Sequence, residues 1–125
     1  MKEESKIKSY KDLIVWQKTV ELSVKVYELT DNFPKEELYG LTSQMRRAVI
    51  SIPSNIAESK CRSTKKDFTN FLRISLGSGG ELGTQIEIAK QLKNTNCFNY
   101  KELEELLIEV MKMLNSMISK LTAKN

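Results

Sequence analysis

The side chains that most often carry out chemistry in proteins are scarce in this sequence. The 125 residues include no histidine and two cysteines, Cys61 and Cys97. Without histidine the chain lacks the commonest general base and the commonest transition-metal ligand. The cysteines are too widely separated for a paired-thiolate zinc site and too few for a disulfide framework. The sequence therefore predicts a protein that is not an enzyme and that holds no metal and no cofactor.

Two further patterns resemble catalytic motifs without meeting their requirements. Three acidic residues recur at helical spacing: Glu102, Glu105 and Glu109. Because Lys101 and Lys112 flank them, and because a di-metal carboxylate bundle needs Glu-x-x-His motifs, they are typical of a solvated helix face. The glycine-rich segment 77–84, GSGGELGT, follows no strand and has no lysine where a phosphate-binding loop requires one. Neither pattern predicts a catalytic site.

Positive charge is concentrated between residues 38 and 73, where seven basic residues accompany two acidic ones. Five of these basic residues lie in or beside the connection between the second and third helices, and they are candidates for binding nucleic acid: Arg47, Lys60, Arg62, Lys65 and Lys66. Such a cluster can attract the phosphate backbone of RNA or DNA. A solvated surface loop is the alternative interpretation, and both stay open at this point.

Aromatic residues close to this basic cluster are few. Phe68 and Phe71 follow it, but Phe68 belongs to the apolar seam of the third helix. We therefore expect contacts to the nucleic-acid backbone and no base-specific recognition.

The residues Ser9–Asp12 form a capping-box sequence, which predicts that the first helix begins near Tyr10. We expect this helix to end near Thr30 or Asp31. It carries two apolar stripes on nearly opposite sides. The first stripe consists of Leu13, Trp16, Val20, Val24 and Tyr27. The second stripe consists of Val15, Leu22, Val26 and Leu29. Because a monomeric bundle buries one side of each helix, we predict that the second stripe is an oligomer interface.

The second helix is predicted over Leu41–Glu58, after a break at Asn32-Phe33-Pro34. It has one apolar stripe, formed by Leu41, Met45, Val49, Ile52 and Ile56. Pro53 lies inside it and removes one backbone donor, so we expect a kink there.

The third and fourth helices should start at the capping signals that begin with Thr64 and Asn99. The third has a heptad seam with small residues at its centre, including Gly79, and we expect the helix containing Pro53 to approach it there. Short connections predict an all-α, up-down antiparallel four-helix bundle. We expect one domain over residues 1–125, with ordered helices from about 10 to 121. No signal peptide or membrane span is evident, which favours the cytoplasm.

Nearly the whole chain, from about Tyr10 to Leu121, resembles a known family. The segments that carry this resemblance are DLIVWQKTVEL (12–22), NFPKEELYGLTSQMRRAVISIPSNIAES (32–59) and KDFTNFLRISLGS (66–78), followed by ELGTQIEIA. They resemble the four-helix bundle proteins encoded in intervening sequences of bacterial 23S ribosomal RNA genes. The accessory variability determinants of diversity-generating retroelements are related to that family.

The resemblance implies an up-down bundle that assembles into a ring-like homopentamer. For the retroelement relatives it also implies binding to nucleic acid and to a reverse transcriptase. It lends no catalytic residues. The polar residues that match the family motif, besides Arg47, are Gln44, Arg46, Asn55 and Glu58. Their role could be structural. Two functions are therefore carried forward: an oligomeric nucleic-acid-binding module, and a structural or protein-binding scaffold with no nucleic-acid role.

Overall fold

The computed structural model describes residues 9–123, and four long α-helices account for most of them. The helices are α1 (Ile14–Thr30), α2 (Ser43–Lys60), α3 (Lys65–Gln91) and α4 (Lys101–Thr122). Each helix packs against the next one along the chain, and α4 closes the bundle against α1. No strand occurs between residues 9 and 123. The predicted all-α four-helix bundle is confirmed.

The capping box at Ser9 is present, but it begins a short 3₁₀ turn and not α1. The Ser9 hydroxyl accepts a hydrogen bond from the Lys11 backbone N–H at 3.1 Å, and the Ser9 N–H donates to the Asp12 carboxylate at 3.3 Å. Leu13 is then extended, with a ψ of 127°. The first helix consequently starts at Ile14, four residues later than predicted.

The connection between α1 and α2 contains a 3₁₀ turn, Lys35–Glu37, and a π-helical turn, Leu38–Thr42. Gly40 has a non-helical backbone there, and the Glu37 carboxylate accepts the backbone N–H of Leu41 at 3.2 Å. This turn separates residues 38–42 from the helix proper. The second helix therefore begins at Ser43, two residues after the predicted start.

The core lies between the four helices and consists mainly of aliphatic side chains. The largest fully buried ones are Leu22, Met45, Ile52, Ile56, Leu72, Leu82, Ile86 and Leu114. Met45, Ile52 and Ile56 belong to the predicted apolar stripe of α2, and Leu22 belongs to the second stripe of α1. Burial of each such side chain stabilises the fold by about 1.5–3 kcal/mol.

The predicted oligomer interface on α1 is wrong, because that stripe forms part of this core. Val15, Leu22 and Val26 are 2%, 0% and 0% exposed in the single chain, and Leu29 packs against them at the edge of the core. Side chains that the bundle already buries completely cannot contact a second subunit. In the first stripe of α1, Val24 and Tyr27 are 52% and 37% exposed, whereas Leu13 and Trp16 are partly buried against the core.

The second helix continues through Pro53 without a break. Pro53 has no N–H, so the carbonyl of Val49, four residues earlier, lacks its usual helical donor. The Ser23 hydroxyl of α1 lies 3.4 Å from that oxygen and also donates to the Thr19 carbonyl at 2.8 Å. A neighbouring helix thus provides a polar group near the carbonyl that proline leaves free. The kink itself stays a prediction.

The third helix is continuous through its glycines, and two different neighbours approach its small residues. Towards α2, the Ser75 hydroxyl donates to the Ile52 carbonyl at 2.9 Å. Towards α4, Gly79 leaves room for the side chain of Met111, whose sulfur occupies the space that a Cβ would need. The Pro53 helix therefore approaches the small residues of the seam at Ser75, as expected, whereas Gly79 faces α4.

Candidate nucleic-acid interface

Four of the five predicted nucleic-acid-binding residues lie together at one end of the bundle. Lys60 ends α2, Arg62 lies in the loop, and Lys65 and Lys66 begin α3. All four residues are exposed. The loop ends at Thr64, whose hydroxyl caps α3 by accepting a hydrogen bond from the Asp67 N–H at 3.1 Å. We call these four residues the basic end.

The fifth residue, Arg47, does not belong to the basic end. It lies thirteen residues before Lys60 on the same helix, which corresponds to about 20 Å along the axis. There it lines a groove between α2 and α3 with Gln44 and Glu81. The prediction that Arg47 shares one site with the loop cations is therefore wrong, because the helix axis separates them.

The four cations of the basic end differ in how much of their charge is compensated. Arg62 forms an ion pair with Glu58, one helical turn earlier. Among residues 9–123, by contrast, no salt bridge involves Lys60, Lys65 or Lys66. Lys65 and Lys66 also lie at the N-terminus of a helix, where the positive end of the helix dipole disfavours cations. These two lysines therefore cost the fold some stability.

Two aromatic rings lie directly beneath this cluster, which the sequence did not predict. The Arg62 guanidinium carbon lies 4.8 Å from the centre of the Phe71 ring, and the Lys60 ammonium lies 5.9 Å from that of Phe68. Both rings are half-buried. The spacing of the two rings could have been recognised in the sequence, because Phe68 and Phe71 are one helical turn apart and lie close to the start of the third helix.

Arg46, from the family motif, joins α2 to the end of α1. Its Nε donates to the Thr30 hydroxyl at 2.9 Å, and one terminal nitrogen donates to Asp31 at 2.9 Å and to the Tyr27 carbonyl at 3.3 Å. The guanidinium also lies 4.4 Å from the centre of the Tyr27 ring. The Tyr27 carbonyl also accepts the Asp31 N–H at 3.0 Å, so Arg46 acts as a second donor at the C-terminus of α1, a position that favours cations.

The other motif residues also make contacts within the bundle. The Asn55 amide donates to the Ser51 carbonyl at 2.8 Å and to the Ser51 hydroxyl at 3.0 Å. That hydroxyl pairs with Ser78 of α3 at 2.8 Å. Glu58 pairs with Arg62, as described above, and Gln44 is exposed on the α2–α3 groove. Asn55 and Glu58 therefore have structural partners.

Three partly exposed apolar side chains lie on the outer side of α1 and α2, beside Arg46 and Arg47. Val24, Tyr27 and Ile50 are 52%, 37% and 43% exposed. Tyr27 and Ile50 line one groove, and Val24 is one turn before Tyr27 on α1. We call this surface the α1–α2 outer face.

A second groove, between α3 and α4, has a volume of about 440 Å³ and is lined by Gly83, Leu107 and Ile108 among others. Lys90 donates to Glu104 at 2.9 Å across the same two helices, which raises the pKa of Lys90. Nearby, burial raises the pKa of Tyr100 to about 12, and its hydroxyl donates to the Thr95 carbonyl at 2.7 Å. These groups connect elements of the fold and do not converge on a shared centre.

Two absences apply to residues 9–123. No three His, Cys, Asp or Glu side chains lie close enough together to hold a metal ion. No helix in that range combines the length and apolar composition needed to cross a membrane.

Comparison with known proteins identifies the family. The model of the 23S rRNA-intervening sequence protein family matches residues 11–116, which covers all four helices up to the middle of α4. The chain belongs to the 23S rRNA-intervening sequence protein family. No significantly similar protein was found among curated sequences.

A solved structure supports the same fold for this member of the 23S rRNA-intervening sequence protein family. It is a protein of unknown function from the S23 ribosomal protein family of Bacteroides thetaiotaomicron. The two chains are 25% identical and superpose with a TM-score of 0.73, over 84% of this chain and 98% of the other. The likeness therefore covers the bundle and brings no function with it.

Proposed function

We propose that this protein is a non-catalytic, oligomeric module that binds the backbone of RNA or DNA through its basic end. The observation that carries the proposal is the group of exposed lysines, Lys60, Lys65 and Lys66, which have no ion-pair partner among residues 9–123. Uncompensated cations of this kind attract phosphates and release counterions when they bind them.

The position of Lys65 and Lys66 supports a functional role for them. Cations in the first turn of a helix are unfavourable, by about 0.3–1 kcal/mol each. Residues that lower stability without an evident structural gain are typical of binding sites. In an oligomer the same cluster would also be repeated, and the electric field at that end of the bundle would increase with each copy.

The experiment exploits this unfavourable position. Lys65→Glu/Lys66→Glu should reduce affinity for RNA and DNA, and should leave the fold as stable or more stable, because acidic residues suit a helix N-terminus. The control is Lys35→Glu/Lys93→Glu, which changes the net charge equally near the opposite end, where both lysines are exposed. Fluorescence anisotropy over a range of salt concentrations measures both.

The expected outcome is quantitative. Loss of two phosphate contacts should reduce the slope of log affinity against log salt by about 1.4 for single strands or 1.8 for duplex DNA. The control should keep the wild-type slope. Absence of wild-type binding at low salt, or equal losses in the two double mutants, would remove the proposal.

For the oligomer, we propose assembly through the α1–α2 outer face, with five copies as the family resemblance implies. Val24→Glu should dissociate the assembly in sedimentation equilibrium. The control, Ile108→Glu, places the same charge on a residue of α4 that is 54% exposed and should leave the assembly intact. A wild-type protein that is monomeric at micromolar concentration would refute this proposal.

A structural or protein-binding scaffold remains the second candidate, favoured by the exposed apolar residues of the α1–α2 outer face. On that hypothesis the partner is another protein. A reverse transcriptase is the partner that the resemblance to accessory variability determinants suggests. A cytoplasmic location is proposed with both candidates.

A further inference from the structure

The basic end contains two kinds of cation, and only one kind is free to bind phosphate. The ion pair with Glu58 compensates the charge of Arg62, whereas Lys60, Lys65 and Lys66 have no such partner between residues 9 and 123. Because Glu58 is anionic, it also repels a phosphate that approaches Arg62. Phosphate binding therefore favours the lysines, and Arg62 is available for another kind of contact.

The geometry around Arg62 suggests what that contact is. The guanidinium is held between the Glu58 carboxylate, one turn earlier on α2, and the Phe71 ring of α3 at 4.8 Å. A guanidinium is planar and weakly hydrated, and it stacks on aromatic rings and on nucleobases. The side chain of Arg62 is 39% exposed while it makes both of these contacts. It is therefore a preorganised planar group that is open to solvent.

We propose that Arg62 and Phe71 form a stacking platform for a base, and that the basic end consequently prefers single-stranded nucleic acid to a duplex. This inference rests on the proposed function. The lysines hold the phosphates, while an unpaired base stacks on the exposed face of the Arg62 guanidinium, which rests on the Phe71 ring. Aromatic rings and guanidinium planes accept any base in this way, since every base has a π-face.

A duplex cannot use such a platform without opening. Its bases are stacked on one another, and the protein reaches only its phosphates, sugars and base edges. Duplex binding should therefore depend on the lysines alone. An acidic protein partner would also use the lysines, but it would gain nothing from the planar faces of Arg62 and Phe71.

The test compares a single-stranded oligouridylate carrying one 2-aminopurine with an RNA duplex of equal length. Two variants remove the stacking surface and retain charge and bulk: Phe71→Leu removes the ring, and Arg62→Lys removes the planar cation. The control is Phe98→Leu, because Phe98 is also half-buried but lies against Phe33, outside the basic end. Circular dichroism checks that each variant is folded.

We expect the wild type to bind the single strand more tightly and to quench the 2-aminopurine fluorescence. Phe71→Leu and Arg62→Lys should each weaken single-strand binding by roughly five- to 150-fold, the range seen for one base stacked on an aromatic side chain. Duplex affinity should be unchanged in both variants, and Phe98→Leu should behave as wild type.

Two results would overturn the inference, and they differ from each other. If both nucleic acids bind equally and neither variant matters, while Lys65→Glu/Lys66→Glu weakens both, the electrostatic function stands and the stacking platform is wrong. If the wild type binds neither nucleic acid at low salt, the proposed function itself fails. If Phe71→Leu does not fold, Arg62→Lys still tests the stacking platform, because it removes the planar cation and leaves the ring in place.

Discussion

The glycines of α3 allow a sharp prediction about packing, because they differ in what a methyl group would meet. A Cβ at Gly77 or Gly80 would have no atom within 4 Å, whereas a Cβ at Gly79 would overlap the sulfur of Met111. Alanine is favoured over glycine in a helix by about 1 kcal/mol. Gly77→Ala and Gly80→Ala should therefore each stabilise the protein by about 1 kcal/mol, which corresponds to a rise in Tm of roughly 4 °C.

Gly79→Ala should behave differently although the substitution is chemically the same. The gain in helix propensity is offset by displacement of Met111, and because the overlapping sulfur lies near the end of a flexible side chain, we expect a cost near the low end of the about 1–3 kcal/mol typical of overpacking. Gly79→Ala should then be close to neutral, about 1 kcal/mol less stable than Gly77→Ala. In a Met111→Ala background the methyl group has room, and Gly79→Ala should regain its stabilisation of about 1 kcal/mol.

Urea unfolding of the four single variants and the Gly79→Ala/Met111→Ala double mutant measures these values. The double-mutant cycle should give a coupling energy of about 1 kcal/mol between Gly79 and Met111. If Gly79→Ala stabilises the protein as much as Gly77→Ala, the close approach of α3 and α4 at this point imposes no restriction. The argument from the position of the sulfur would then be wrong.

Other regions of the bundle give further predictions. The pKa of Tyr100 is raised to about 12 in the folded protein, above its usual value of about 10, so its contribution to stability is complete below pH 10 and is lost as the pH rises through 12. Tyr100→Phe should be less sensitive than wild type to this pH range in urea unfolding, and identical pH profiles would contradict the assignment. Arg46→Leu should destabilise the protein by roughly 1–3 kcal/mol, because the Thr30 hydroxyl loses a hydrogen-bond donor and the Asp31 carboxylate loses its ion pair. Arg46→Lys should not restore this stability, since lysine lacks the forked donor geometry, and a fully stable lysine variant would argue against the capping role. Val15→Glu should unfold the monomer and not merely dissociate an oligomer, which circular dichroism distinguishes.

Local signals in the sequence predicted the helices well where a single side chain decides the outcome. The Thr64 cap starts α3 one residue later, as expected. At Ser9 the cap was also correct, but the extended backbone of Leu13 delays α1 to Ile14. At the start of α4 the N-cap is Tyr100 and not Asn99, although the Asn99 side chain accepts the Lys101 N–H at 3.0 Å. Such contacts span three or four residues, so the sequence contains all of their information.

The candidate site was predictable in part, for the same reason. Lys60, Arg62, Lys65 and Lys66 lie within seven residues, and a short loop necessarily keeps them together. Arg47 was assigned to them from its charge, but a rigid helix carries it about 20 Å away. The contacts of Phe68 with Lys60 and of Phe71 with Arg62 depend on how α3 packs against the end of α2. That packing is a tertiary contact, which charge patterns do not describe.

The orientation of α1 shows most clearly what the sequence determined and what only the tertiary structure decided. The sequence established that α1 is apolar on two sides, but both stripes are similar in hydrophobicity, so it could not choose the inward one. The structure turns Val15, Leu22 and Val26 inward together with two threonines, Thr19 and Thr30. Each threonine hydroxyl donates to a carbonyl of its own helix, at 2.7 Å in both cases. Threonine can therefore be buried without an unpaired donor. A pattern that counts threonine as polar misses two positions of the core stripe, and only packing against α2 and α4 reveals them.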